Sequence, residues 1–370
     1  MDASSDTERA AGIHDSAIVI DGHCDILIPV AEGKMTLGER VEIPDPETWI
    51  APHGLERHPL VKFGAQPHTV YFGPMGQYDI PRFFEAGLTA QGCAIYLEDD
   101  RLADPLGHGL DMAWHLHQEA ASYEAVEIMR TSSDIHSAKK QGKCGLILGF
   151  EGCEALGTDI RLLGIYYMLG LRIASLTHTR RNIYADGCYA ADKPGGLTEL
   201  GKQLVEKMNG LGIVIDLVHI GEIGFWEIMD LTTSPVILSH STPTMFPNSE
   251  PTSGGPFSGK IPRPRLELPR DLKVLEKIAE NGGVLGITWV CHADLEGVIA
   301  DIDTAIEVMG PDHVGLGSDL YGAESAPRGL EDISKVPKIT QALVKEGYSD
   351  ETIFKFLGGN CLRVFEQVWG

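Results

Sequence analysis

The 370-residue chain predicts a (β/α)₈ barrel, eight parallel strands wrapped in helices. Two observations carry that expectation. Short apolar runs alternate with amphipathic stretches along the chain, which is the pattern of repeated strand–helix units. Polar residues of metal-binding type follow six of those runs: His23 and Asp25 after AIVIDG, Glu151 after GLILGF, His178 after RIASLT, His219 after IVIDLV, His240 after VILS and Asp319 after VGLGS. A parallel barrel gathers its strand ends at one face, so residues far apart in sequence meet there. An open doubly wound sheet is the alternative reading of the same alternation.

The first strand is expected at 17–22, and its continuous apolar run suits a strand buried on both faces. Residues 31–78 follow it, rich in Pro, Gly and His with weak periodicity, and read as an insertion. The second and third strands are expected at 92–97 and 145–150, with a helix near 109–130 between them. A helix near 159–169 leads to the fourth strand at 172–177. The helix at 197–212 is the clearest: Leu197, Leu200, Leu204 and Met208 mark one face, Thr198 can cap its start, and Gly210 or Gly212 can end it. The fifth strand (213–218), a helix near 221–231 and the sixth strand (235–239) come next. A Pro/Gly/Ser loop at 242–264 is the second insertion. A helix near 270–281, the seventh strand at 284–289, a helix near 299–309 and the eighth strand at 313–318 complete the ring, and helices near 332–347 and 350–357 close the chain. One barrel domain over 1–370, with loop insertions at about 31–78 and 242–264, is the expected organisation.

Composition narrows the partners. The chain is 43% hydrophobic, ample for a core, and its net charge of −23 argues against nucleic acid and anionic membranes. The opening MDASSDTERAAGIHDS lacks the basic start and apolar centre of a signal peptide, and no apolar run approaches the roughly 20 residues of a membrane span. The seven cysteines are odd in number and form no CxxC pair, so reduced thiols and a cytoplasmic location are expected, with Cys24, Cys144 and Cys153 as small core fillers.

The polar strand ends point to a metal. In His23-Cys24-Asp25 the two ligand-type residues are two apart, and on an extended strand end they share a face. Imidazole and carboxylate together suit a divalent ion such as zinc, and a carboxylate such as Glu151 can bridge two ions through its two oxygens. A single histidine at a strand end is more often a hydrogen-bonded structural residue; the coincidence over six strand ends favours a metal site. His115 and His117, two apart on a helix, cannot share a face and read as structural or exposed, as do the other histidines.

At this point the chain resembles the renal or membrane dipeptidase family, the M19 metallopeptidases of the amidohydrolase superfamily. The residues that carry the resemblance are IDGHCD (20–25), YDIPRFFEAGLTAQ (78–91), GFEG (149–152), LTHTRRNIYADG (176–187), GLTELGKQLVEKMNGLGIVIDLVHIG (196–221), SHS (239–241), GLGSDLYG (315–322) and GGNCLRVFE (358–366). The resemblance implies a distorted (β/α)₈ barrel with two zinc ions per chain. His23 and Asp25 would hold one, His219 and His240 the other, and Glu151 would bridge them. Many superfamily relatives carry a carboxylated lysine at the fourth strand end; His178 stands there here, which favours a dipeptidase over phosphotriesterase-like or urease-like chemistry.

The implied reaction is attack of a metal-bridging hydroxide on the scissile carbonyl of a dipeptide. His178 would touch the substrate and hydrogen-bond its developing oxyanion, and Asp319 would relay the proton to the leaving amine. The substrate carboxylate needs an arginine; Arg265 fits the spacing to Pro269, and Arg263 is the alternative. Arg180 and Arg181 either contact an acidic substrate side chain or offset nearby carboxylates. Family members are commonly homodimers, so a homodimer is expected. The competing readings are a related metal-dependent amidohydrolase acting on N-acyl amino acids, cyclic amides or lactams, and a catalytically idle barrel that binds a peptide or metal.

Overall fold

The computed structural model describes residues 3–41, 76–188, 195–243, 272–289, 292, 294–322 and 326–369. Nine strands form its sheet: β1 (Ile20–Asp21), β2 (Ala90–Tyr96), β3 (Val126–Ile128), β4 (Cys144–Glu151), β5 (Leu171–Ser175), β6 (Val214–Asp216), β7 (Ile237–Ser241), β8 (Val284–Ile287) and β9 (Val314–Leu316). Every pairing is parallel, and the ring runs β1-β2-β4-β5-β6-β7-β8-β9 and back to β1. The eight-stranded barrel expected from the sequence is therefore the fold, and closure through β1 and β9 removes the open sheet.

The ninth strand corrects one expectation. β3 stands outside the ring, paired with the first residues of β4, whose later residues pair with β5. Its residues fall inside the helix expected at 109–130. That helix is Pro105–Ser122, started by Asp104, which accepts from the Gly107 amide at 3.1 Å. A separate helix, Ser132–Gln141, opens on a reciprocal capping box between Thr131 and Asp134 and stops at left-handed Gly142. Elsewhere the start and stop signals hold. Helix Glu199–Leu211 is capped by Thr198 and ends at Gly212, whose φ of 71° suits glycine.

Side chains of the strands alternate between the barrel interior and the surrounding helices. From β4, Leu146, Leu148 and Phe150 join the outer core, while Ile147 points inward with Ile20, Ala90, Ile173, Val214, Ile237 and Val284. Cys361, Leu362 and Phe365 of the closing helix Asn360–Trp369 pack on that inner layer, so the mouth at the strand starts is plugged. The opposite mouth, where the strands end, is left for chemistry. The interior is narrow there: a Cβ on Gly92 of β2 would fall on the carbonyl oxygen of Gly22 and within 3.2 Å of the His23 amide nitrogen.

The acidic amino-terminal stretch is a helix, Ala3–Ser16, which the sequence reading did not assign. It buries Ala10 and Ile13, and its His14 ring bonds Thr340 Oγ1 at 2.8 Å and Ala86 O at 2.9 Å. Cys24, Cys144 and Cys153 are fully buried, as expected of core fillers. Most of both insertions lies outside the described residues. Among those described, no helix is long and apolar enough to cross a membrane.

Candidate metal centre

The barrel brings together all the strand-end residues singled out in the sequence. Glu151 is the last residue of β4, and its two oxygens face different partners. Oε1 accepts from Nε2 of His219 at 2.9 Å and lies 3.6 Å from Nε2 of His240. Oε2 lies 3.8 Å from Nε2 of His23, which in turn sits 3.5 Å from Oδ2 of Asp25. Asp319 closes the set from beyond β9, 3.8 Å from His23 and 4.0 Å from His240. His178, beyond β5, places Nε2 3.8 Å from Glu151 Oε1.

Local backbone geometry aims these groups. His219 and Asp319 have φ of 60° and 57°, the left-handed region that ordinary residues enter at a cost, so each strand turns sharply as it delivers its side chain. Hydrogen bonds fix the rings. His240 Nδ1 is held by Ser239 Oγ at 2.9 Å, and His178 Nδ1 by Thr179 Oγ1 at 3.1 Å.

The protein groups alone do not satisfy the pocket. His23 Nε2 and Asp25 Oδ1 are buried with no hydrogen-bond partner, and the Nε2 atoms of His219 and His240 confront each other at 3.2 Å. Buried polar atoms rarely go unpaired. The titration behaviour has the same origin. Burial disfavours a charged His23, but Glu151 and Asp25 outweigh it and raise its pKa to about 10. Burial and then Glu151 push Asp25 up to about 6, and burial above all lifts Asp319 well above the carboxylate range. Burial resists a charged Glu151 too, yet His23 and His178 hold it well below its ordinary value. His178 is lowered to about 3, by burial and then by His219.

The donor set fits a cation. Among the described residues, three overlapping groups of nitrogen and oxygen atoms have the spacing to hold a metal ion: His23 with Asp25 and Glu151, Glu151 with His219 and His240, and His23 with His240 and Asp319. Glu151 belongs to two of them, as a bridging carboxylate must. Zinc takes such nitrogen and oxygen ligands.

Arg265 and Arg263 lie outside the described residues. Arg180 and Arg181 offset carboxylates: Arg180 pairs with Glu154 at 3.1 Å and Asp99 at 3.0 Å, and Arg181 grips Asp186 through two nitrogens. Three neighbours of the centre escaped the sequence reading. Tyr96 ends β2 in register with Glu151, and its ring lies 4.4 Å from that of His178. Asp21 and Asp216 are buried at the ends of β1 and β6. Their position just before His23 and His219 was the available signal.

The family profile described as membrane dipeptidase (peptidase family M19) matches residues 7–252 and 261–369. Dipeptidase aclJ of Aspergillus oryzae is 31% identical over 315 residues, which cover 79% of this chain and 70% of that protein. Dipeptidase tcpJ of Claviceps purpurea is 31% identical over 254 residues, 66% of this chain and 56% of its own length. For human Dipeptidase 3 the identity is 27% over 265 residues, 68% of this chain and 50% of that protein. The chain thus spans about half the length of the last two. Among solved structures, dipeptidase AC, a metallopeptidase of family M19, has a TM-score of 0.73 at 26% identity, covering 96% of this chain and 99% of its own. A metallopeptidase from Rhodobacter sphaeroides, liganded with a phosphinate mimic of the dipeptide L-Ala-D-Ala, has a TM-score of 0.72 at 25% identity, covering 96% of this chain and all of its own.

Proposed function

The chain belongs to the membrane dipeptidase family, peptidase family M19, and on that premise we propose that it is a metallo-dipeptidase that hydrolyses the peptide bond of dipeptides. The observation that carries the proposal is the convergence of His23, Asp25, Glu151, His219 and His240 on one buried pocket, with His23 Nε2 and Asp25 Oδ1 left without partners. In this reading His23, Asp25, Glu151, His219 and His240 would together hold two zinc ions. A zinc pair supplies a Lewis acid for the scissile carbonyl and makes water a competent nucleophile near neutral pH.

The rest of the chemistry belongs to side chains of the chain. Asp319 stands beside both halves of the centre, where a carboxylate can take a proton from water and return it to the leaving amine. His178 is kept neutral, and Thr179 Oγ1 occupies its Nδ1. With the Thr179 hydroxyl donating to Nδ1, Nε2 carries the ring proton and can donate it to the oxyanion that develops on the carbonyl oxygen. Arg265, or Arg263 in its place, would clamp the free carboxylate of the substrate through paired N–H donors. Dipeptides are favoured over N-acyl amino acids and lactams because a solved relative carries a mimic of L-Ala-D-Ala.

The test is a substrate panel run on zinc-loaded protein: dipeptides with L and with D carboxyl-terminal residues, N-acyl amino acids and β-lactams. The proposal expects the highest kcat/KM on a dipeptide. A preference for N-acyl amino acids or lactams would move the chain to a different amidohydrolase chemistry on the same centre.

A further inference from the structure

Two seams of the barrel are thinner than the rest. β1 and β9 share one residue pair in register, Asp21 with Leu316, and β6 and β7 share one, Asp216 with Ile237. Every other seam in the ring has at least two. The thin seams are also where site residues on adjacent strands must keep a fixed separation: His23 from Asp319 at 3.8 Å, and His219 from His240 at 3.2 Å.

At each thin seam the paired residue is a buried aspartate, and its carboxylate reaches across to the next strand. Asp21 accepts from the amide of Ser318 at 2.8 Å and from its hydroxyl at 2.5 Å, with Tyr78 OH a further donor at 3.3 Å. Asp216 accepts from the amide of Ser239 at 3.0 Å and, through the same oxygen, from the amide of Val218 at 3.1 Å. The arrangement repeats. In both cases the bonded serine immediately precedes a site residue, Asp319 or His240, and the aspartate lies two or three positions before a site histidine. Each carboxylate therefore ties the root of one site residue to the root of its neighbour. It adds to the few main-chain bonds of each seam, Gly22 N–H to Leu316 O at 3.0 Å in one and Leu217 N–H to Ile237 O at 2.8 Å in the other.

We infer that Asp21 and Asp216 are positioning residues that set the spacing of the ligand side chains across these two seams. The inference rests on the reading that His23, Asp25, Glu151, His219 and His240 hold metal. Outer groups that orient ligands typically change metal affinity about 10–100-fold when removed.

Asp216 gives the cleaner test, because one oxygen accepts from both backbone amides and an asparagine keeps an oxygen in that place. Zinc affinity is measured by chelator competition on wild type, Asp216→Asn and Asp216→Ala, all confirmed folded, and the visible spectrum of the cobalt-substituted proteins is recorded. Asp216→Ala is expected to bind zinc about 10–100-fold more weakly with an altered cobalt spectrum. Asp216→Asn is expected to stay within about threefold of wild type and keep the spectrum. Should the alanine variant not fold, Asp216→Ser, too short to reach both amides, takes its place. Equal zinc affinity in all folded variants overturns the inference, as does a loss in Asp216→Asn as large as in the truncated variant. Failure of wild type itself to bind zinc would instead strike the metal reading.

Discussion

Oε1 of Glu151 lies 2.9 Å from Nε2 of His219, although 68 residues separate them in sequence. The other oxygen of the same carboxylate turns to His23 at 3.8 Å. One side chain at the end of β4 therefore faces residues delivered from the starting and middle strands of the ring. The order of the parallel strands joins those partners, since β1 and β6 each stand two strands from β4 in the ring.

Asp319 touches both halves of this centre but belongs to just one of the three candidate ligand groups. If its task is proton transfer, Asp319→Asn keeps the shape and loses the base. We predict a fall in kcat of about 10²–10⁴-fold with zinc content unchanged. Metal analysis and steady-state kinetics on the same preparation check both halves, and undiminished turnover refutes the role.

Arg265→Met should raise KM for dipeptides while kcat changes less, since a charged hydrogen-bonding pair contributes about 1.5–3 kcal/mol. An unaltered KM, with Arg263→Met raising it instead, assigns the substrate carboxylate to the other arginine.

Gly92 is required by close approach. A methyl group there would meet the backbone of Gly22 and press on the amide of His23. Gly92→Ala is expected to cost about 1–3 kcal/mol in denaturant unfolding. It should also weaken zinc binding, because the displaced segment carries His23. Wild-type stability in this variant would mean that β1 and β2 have slack that the packing does not show.

His14 supplies a pH dependence remote from the centre. Burial, against a weaker pull from its bond to Ala86 O, lowers its pKa below 6.5 in the folded chain. The unfolded chain takes up that proton at about 6.5, so it binds more protons than the fold just below that pH. The contribution to stability is complete above this value and is lost as the pH falls below it. Melting temperatures between about pH 7 and 5.5 should fall more steeply for wild type than for His14→Gln, which does not titrate. Parallel profiles would count against this assignment.

The barrel and its polar mouth are legible in the sequence because the strands are buried on both faces and so read as continuous apolar runs. Six of the eight are followed by a residue whose chemistry contrasts with the run before it. β3 was hidden because three residues, Val126–Ile128, carry no period of their own and sit beside a helix long enough to absorb them. The helix Ala3–Ser16 was hidden by its polar composition; Ala10 and Ile13 are the apolar residues on its buried side, beside the polar His14. Within the centre, histidines and acids at strand ends were visible, whereas Tyr96 was not. It ends its strand like the others but is not a ligand type, and its place against His178 depends on the register of β2 with β4. Asp21 and Asp216 look like parts of the strands, and their work is done across seams that a linear reading does not contain. The partners of Arg180, Glu154 and Asp99, likewise come from separate segments of the chain.

The most direct test counts metal and follows it through turnover. Zinc per chain is measured on active protein, the ions are removed with a chelator, and dipeptide hydrolysis is assayed before removal, after removal and after zinc is returned. About two ions per chain are expected, with loss of hydrolysis when the metal is removed and recovery on its return. Full hydrolysis by metal-free protein, or none from protein carrying both ions, would contradict it.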